Sequence, residues 1–419
     1  MLSLSSPYRH IALFLFTLLT VNATAQEENQ FAVDAQLRTR GEINNGALYP
    51  RATKEGASYF ANERARLSLH YTRARLQLKV SAQHTGVWGQ DDIKSRNGRV
   101  AMNEAWVRLN LWDGLSAQVG RQQLSYDDER LLGTLVWNVA GNWHDAAKLI
   151  YEHKHMQAHA VITLNQSAEN VRGHFQSAGG MPYKALAMLW WHQDFDVQPV
   201  GISLLAMNLS LEAGAQGTAK TKHMQTWGTH ITYHPGGYNA AASFYFQTGE
   251  EKSGKSVSAF MGSLSGDYTI NTDWTVRAGY DYLSGNDGRN INQHAFNPLY
   301  GTHHKFYGAM DYFTGLVDCG LQDIHLGGTT HLTRPVTLSL DYHALLTAEP
   351  IGQRSKMLGH ELDLHASMPL QKDVTVTAGY SRMFGTSTMD AFLGGNHSLR
   401  QDWLWLQLNV NPRILFTKW

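Results

Sequence analysis

Along most of the chain, apolar and polar residues alternate one by one over segments of about ten residues. Between 31 and 42, Phe31, Val33, Ala35, Leu37 and Thr39 share one face, and Asp34, Gln36, Arg38, Arg40 and Glu42 share the other. Between 63 and 71, Ala65, Leu67, Leu69 and Tyr71 oppose Arg64, Arg66, Ser68 and His70. Leu76, Leu78, Val80 and Ala82 then oppose Arg75, Gln77, Lys79, Ser81 and Gln83, and Val107, Leu109 and Leu111 oppose Trp106, Arg108 and Asn110. Near the end, Leu362, Leu364, Ala366 and Met368 oppose Glu361, Asp363, His365 and Ser367, while Leu404, Leu406, Leu408 and Val410 oppose Trp403, Trp405, Gln407 and Asn409. A period of two is that of a strand with unlike faces.

A soluble sandwich alternates in the same way. Two features favour a transmembrane barrel. The segments are long, where soluble strands average about 5–6 residues. Aromatic residues also crowd the segment ends: Tyr59, Phe60, Trp112, Trp190, Trp191, Tyr233, Trp274, Tyr380 and Trp403 read as interfacial girdles.

The connections alternate between short and long. Short turns are expected at 72–73, 112–114, 153–155, 234–236, 271–272, 334–335 and 371–372, and longer loops near 44–57, 89–100, 124–143, 166–182, 212–221, 285–319, 347–357 and 386–399. Outer-membrane barrels have short periplasmic turns and long outer loops, which puts both termini in the periplasm. Such barrels also have an even number of strands. The expectation is therefore an all-β, antiparallel up-and-down barrel of about 18 strands. The strand-like stretch 305–314 falls to the 285–319 loop, which folds inward and narrows the pore.

The N-terminus supports this compartment. Arg9 and His10 precede an apolar run over 11–21, followed by Ala23-Thr24-Ala25. These are the parts of a cleavable secretory signal. The run is shorter than the ~20 residues of a membrane-spanning helix. Residues 1–25 are read as the signal and 26–419 as the barrel. Without the signal, the chain has nearly balanced charge, which gives no field for nucleic acid. A single cysteine, Cys319, rules out an intramolecular disulfide and is read as a packed residue.

Candidate chemistry centres on arginine. Arg38, Arg40, Arg64, Arg66 and Arg108 lie on the lumen phase of neighbouring early strands, with Asp34, Glu42 and Glu104 beside them. They hold a polar interior together by cross-strand pairing, offer carboxylate-matching forks to a passing solute, or do both. The block 126–130 offers Asp127 and Asp128 either to a cation such as calcium or to Arg130 in a salt-bridged loop. Asn286-Asp287-Gly288 reads as a turn. The 21 histidines, with close pairs at His153 and His155 and at His303 and His304, are too dispersed for one metal centre, so no metal or cofactor is expected. They raise a pH-sensitive pore as a further hypothesis. Ser339, Asp341 and His343 share a strand face but step about 6–7 Å apart, too far for a relay. No nucleophile elbow, phosphate loop or zinc pattern is present, so no catalytic residue is assigned.

The run Gly120-Arg121-Gln122-Gln123-Leu124-Ser125-Tyr126-Asp127-Asp128-Glu129-Arg130-Leu131-Leu132-Gly133, with Trp137 and His144-Asp145-Ala146 beyond it, resembles the alginate-export (AlgE-like) family of outer-membrane channels. Blocks at 279–287, 297–301, 304–308, 321–324 and 359–363 agree. The resemblance implies a monomeric 18-stranded barrel passing an anionic uronate polymer, with arginines and acidic residues at a constriction and periplasmic export components as partners. The five lumen arginines, Glu42 and Glu104 would fill that role, and Arg121 and Arg130 match the family block. The long periplasmic turn that plugs the alginate exporter has no counterpart here. Acidic saccharides and small organic anions are the expected solutes. An unselective porin and a structural, adhesin-like barrel are the alternatives.

Overall fold

The computed structural model describes residues 28–419 apart from 93–98, 167, 170–173, 176–181 and 334. The signal segment 1–25 lies outside the described residues. The strands are β1 (Gln30–Asn45), β2 (Ser58–Arg73), β3 (Leu76–Val87), β4 (Val100–Trp112), β5 (Leu115–Gln122), β6 (His144–His153), β7 (Met156–Leu164), β8 (Ala185–Phe195), β9 (Val200–Ala213) and β10 (Lys220–Tyr233). They continue with β11 (Tyr238–Glu250), β12 (Ser256–Thr269), β13 (Trp274–Leu283), β14 (Leu321–Thr333), β15 (Val336–Leu346), β16 (Met357–Gln371), β17 (Val374–Gly385), β18 (Gln401–Val410) and β19 (Arg413–Lys418). Each strand up to β18 pairs antiparallel with the next in sequence, and β1 also pairs with both β18 and β19. β18 and β19 are one stave interrupted at Asn411 and Pro412. Proline has no N–H to give, but the Pro412 carbonyl still accepts from the Ala35 N–H at 3.0 Å. The wall is thus a closed barrel of 18 staves, which leaves no sheet edge for lipid to meet.

The alternation resolves into two faces. Leu37, Leu67, Leu109, Leu149, Leu189, Leu204, Leu264, Leu326, Leu340, Leu364 and Leu406 are exposed on the outside. Arg38, Arg64, Ser68, Ser81, Gln83 and Gln118 are buried within. Turns of two or four residues close one end; loops of 5 to 37 residues occupy the other. At the turn end, Trp112, Phe195, Tyr233, Tyr238, Tyr268 and Trp274 form an exposed aromatic belt, with Tyr238 and Tyr268 stacked at 4.4 Å. Two expected girdle members belong elsewhere. Trp190 and Trp403 fall on the inner phase of β8 and β18 and are buried in the lumen. Three connections differ from the sequence reading: a turn at 196–199 and a hairpin at 251–255 had no predicted counterpart, and the expected loop at 212–221 shrinks to 214–219.

Residues 305–314 carry no strand; they belong to the long connection between β13 and β14. This connection and the one between β5 and β6 enter the lumen. Leu124, Leu131, Leu132, Phe296, Tyr307, Met310, Phe313 and Val317 of these loops pack against Leu186, Met207, Leu209, Met224, Tyr245, Met261, Leu283 and Met383 of the inner wall. The hydrophobic core of this barrel therefore lies in the loop-side half of its own lumen. Cys319 is buried at its edge, where burial pushes the thiol up to about 11. In the connection 386–400, a short helix α1 (Ser387–Leu393) starts on Thr386, whose Oγ1 accepts from the Thr388 and Met389 N–H groups.

Candidate functional site

An irregular loop inside a barrel must find donors for its carbonyls. The segment 136–140 finds them on the arginine wall. Arg38 donates to the carbonyls of Val136 (2.5 Å), Trp137 (3.3 Å) and Asn138 (3.0 Å). Arg40 donates to Trp137 O at 3.2 Å, Arg64 to Val139 O at 3.4 Å, and Gln83 to Ala140 O at 2.7 Å. Arg66 holds Gln83 Oε1 through two N–H groups, at 3.0 and 2.6 Å. Arg38, Arg40 and Arg64 are consequently buried beneath the loop. Trp137 is the plug of this contact. Its ring lies 3.9 Å from the Arg40 guanidinium, stacks on His304 at 4.0 Å and meets Trp405 edge-on at 4.9 Å. His304 in turn holds Asp311 at 2.8 Å.

Glu42, nearer the loop end of β1, serves this wall. It pairs with Arg40 at 2.8 Å and accepts from Asn62 (2.6 Å) and Trp403 Nε1 (3.0 Å). Among the described residues it is the one carboxylate in an ion pair with Arg38, Arg40, Arg64 or Arg66. Of the four guanidiniums, Arg40 alone has a carboxylate in an ion pair, and the wall keeps an excess of positive charge.

The other predicted residues disperse. Glu104 pairs with Lys79 and accepts from Trp106 Nε1 at 3.1 Å. Arg108 spans to Ser116 (3.0 Å) and Glu152 (2.6 Å), and Asp34 takes Arg413 at 2.7 Å. Arg121 departs from the lumen placement. β5 buries Ser116, Gln118 and Gln122, so Arg121 has the opposite phase and forms a two-pronged pair with Asp145, 2.9 Å on each prong, near Trp143. Asp127 accepts from Trp190 Nε1 (3.1 Å) and Tyr245 OH (3.4 Å), and Asp128 from Arg130 (2.6 Å). The 126–130 block is therefore a salt-bridged loop.

Arg130 latches the two inward loops to the wall. It pairs with Asp281 of β13 at 2.8 Å, lies 4.1 Å from the Phe306 ring and donates to Tyr307 OH at 3.3 Å. Burial works against its charge, but Asp281, Tyr307 and Asp128 outweigh burial and hold its pKa above the ordinary value. Beside it the loop backbones bond directly: Tyr300 N–H to Leu131 O (2.9 Å), Thr302 N–H to Glu129 O (2.9 Å), and Gly133 N–H to Tyr300 O (3.1 Å). Gly301 makes this approach feasible, since a Cβ there would overlap the backbone of Glu129 and Arg130. Gly301→Ala is expected to loosen the loop pair by about 1–3 kcal/mol through that overlap. Protease cleavage within 124–143 should accelerate while the wall stays intact; unchanged cleavage would show that the backbones are not held together there.

The 284–320 excursion is also pinned to the far strands. Met310 N–H donates to Glu361 (2.7 Å), Ala309 N–H to Asp363 (3.2 Å), and Tyr312 OH to Gly46 O (2.6 Å). Below it opens a cavity of ≈ 560 Å³, lined by the loop residues 304–309, by Arg130 and by the inner face of β13–β16. This face was not assigned to the site from sequence. Its signal is a threefold repeat of Asp-x-His on consecutive strands: Asp323 and His325, Asp341 and His343, Asp363 and His365. Asp341 holds Arg277 by two bonds, 2.6 and 3.0 Å, across Gly327, where any side chain would collide with the pair. Ser339 accepts from Thr329 at 3.5 Å, so Ser339, Asp341 and His343 are engaged with different partners.

The arrangement is a passage whose loop-side half is narrowed by two loops, with one arginine-rich and one acid- and histidine-rich wall. Solved structures share the fold. OccK2 (OpdF) of Pseudomonas aeruginosa, solved in complex with glucuronate, superposes with a TM-score of 0.62 at 12% identity, covering 92% of this chain and 98% of that one. The outer membrane protein OpdK of the same organism gives 0.63 at 9% identity, covering 92% and 99%; its structure with vanillate gives 0.62 at 9%, with the same coverage. No curated protein sequence matches significantly. The family profile described as alginate export matches residues 18–390, nearly the whole length. With its closed 18-stave wall, this outer-membrane channel chain belongs to the alginate-export family.

Proposed function

We propose that the barrel passes polar anions, acidic saccharides of the uronate kind above all, across the outer membrane, with both termini on the periplasmic side. The observation that carries this reading is the excess of guanidinium charge on β1 and β2, where, among the described residues, one of four arginines, Arg40, has a carboxylate in an ion pair. Fixed positive charge beside a narrow, low-dielectric passage raises the local concentration of anions and lowers their barrier. The arginines act on a solute through this field. Arg38, Arg40 and Arg64 spend their donors on loop carbonyls, and Arg66 is the half-buried member. The reading is supported by two barrels of similar fold, OccK2 solved with glucuronate and OpdK solved with vanillate.

The test is the reversal potential of single barrels in a planar bilayer under a salt gradient. Wild type should prefer anions, and glucuronate should reduce chloride current. Arg64→Gln with Arg66→Gln should cut the anion-to-cation ratio by about twofold or more, since two of the uncompensated charges are gone. Cation preference in wild type would overturn the reading, equal permeability would mean an unselective porin, and absence of current would mean a structural barrel.

A further inference from the structure

The strongest unassigned chemistry lies on the acid- and histidine-rich wall. Asp323 and His325 share the inner face of β14, and His343 stands directly across from His325 on β15. One carboxylate oxygen and two imidazole nitrogens of these residues lie within 4.8 Å of one another. Asp323 Oδ2 is 2.8 Å from His343 Nδ1 and 3.6 Å from His325 Nδ1, and the two rings are 5.7 Å apart. The His325 ring rests over Gly279 of β13, in space that any side chain would fill.

The second observation is a set of missing partners. Asp323 is 1% exposed, yet its Oδ1 accepts no hydrogen bond, and His325 Nδ1 makes none either. Asp363 Oδ1 and His365 Nε2, on β16 beyond His343, also lack partners. Buried polar atoms nearly always have partners, and orphans on both Asp323 and His325 ask for a ligand. The charge of the surroundings says which sign. On the inner face of β13–β16, Asp281, Asp323, Asp341, Glu361 and Asp363 meet two guanidiniums, Arg130 and Arg277. Five carboxylates against these two guanidiniums and the Lys305 ammonium of the facing loop leave that wall short of fixed positive charge.

We propose that Asp323, His325 and His343 form a binding site for a divalent transition-metal ion of the zinc class, inside the lumen. Two imidazoles and one carboxylate are a donor set suited to such ions. An ion with bonds of 2.0–2.1 Å needs tetrahedral donors about 3.3 Å apart, and the Asp323–His343 and Asp323–His325 separations bracket that spacing. All three residues also line the cavity, which leaves room for a water to complete the donor set. The site draws on the acid-rich wall and does not depend on which solute the channel passes.

The experiment uses the full barrel in detergent, stripped with chelator and dialysed against Zn²⁺. Wild type should retain one ion more than His325→Gln and His343→Gln, each weakening the site at least about tenfold, as loss of a ligand or its support does. Cu²⁺ bound to wild type should show coupling to two imidazole nitrogens by electron paramagnetic resonance. Heat-dependent gel migration reports whether each variant has closed its barrel. His325→Gln is the milder change because its Nδ1 makes no hydrogen bond. Equal retention by wild type and both variants overturns the site, as does a Cu²⁺ spectrum without paired nitrogens. The latter needs no variant, so a folding failure leaves the proposal testable.

Discussion

Replacing residues 303–315 with a short glycine-serine linker should raise single-channel conductance by roughly threefold, because pore width governs ion flow. The replaced stretch carries Tyr307, Met310 and Phe313, which fill the loop-side lumen, and His304, which backs Trp137. Removing it also frees Glu361 and Asp363 from the Met310 and Ala309 amides. The barrel itself should still assemble, since every wall stave finds its hydrogen bonds in its two neighbours. Heat-dependent migration on gels verifies assembly, and planar-bilayer recording reads the conductance. An unchanged conductance in an assembled barrel would show that ions pass by a route these loops do not narrow.

Arg130→Met should detach both inward loops while leaving the wall closed. The change strands Asp281, 1% exposed, and removes the partner of Asp128. Breaking a buried ion pair from one side costs about 3–5 kcal/mol, most of it the penalty for the carboxylate left behind. The barrel avoids the full cost by letting the loops lift and water enter. The effect should therefore appear as faster amide exchange and proteolysis over 124–143 and 296–313, with a smaller change in global unfolding. Arg130→Met with Asp281→Leu removes both charges and should recover much of the protection, which a purely steric role for Arg130 would not allow.

The wall was legible because a strand with lipid on one side and a polar lumen on the other must alternate. Arg38 opposite Leu37 and Arg64 opposite Ala65 leave little freedom of phase. The same rule fails in β8 and β9. There Leu186, Met188 and Trp190 turn inward toward the loops while Leu189 and Leu204 face outward, so both faces are apolar and the alternation fades. That blurring is itself the trace of a core inside the barrel. It also explains why Trp190 read as a girdle residue; Trp403 lies near a strand end, and only the inner phase of β18 shows that it faces the lumen. Arg121 misled for a different reason: it sits in the family block, but one residue of phase places it outside with Asp145. The destination of the arginines was hidden too. Nothing in residues 136–140 announces that their carbonyls will occupy Arg38, Arg40 and Arg64. The Asp-x-His repeat of β14–β16 was present in plain sequence, but its meaning depends on three strands lying side by side.

Closure of the wall by β1 against β18 and β19 also sets the order in which this molecule is made. The side chains of Gln36 and Asn409 join residues 373 positions apart. Each earlier hairpin forms from neighbours in sequence, whereas this last seam waits for the whole chain to arrive and for its two ends to meet. Such distant pairing is entropically costly and slow. Until it forms, both margins of the sheet carry open amides and carbonyls that lipid cannot satisfy. Insertion is thus governed by the seam, and an assembly factor that sheltered the two margins would act on the slowest step.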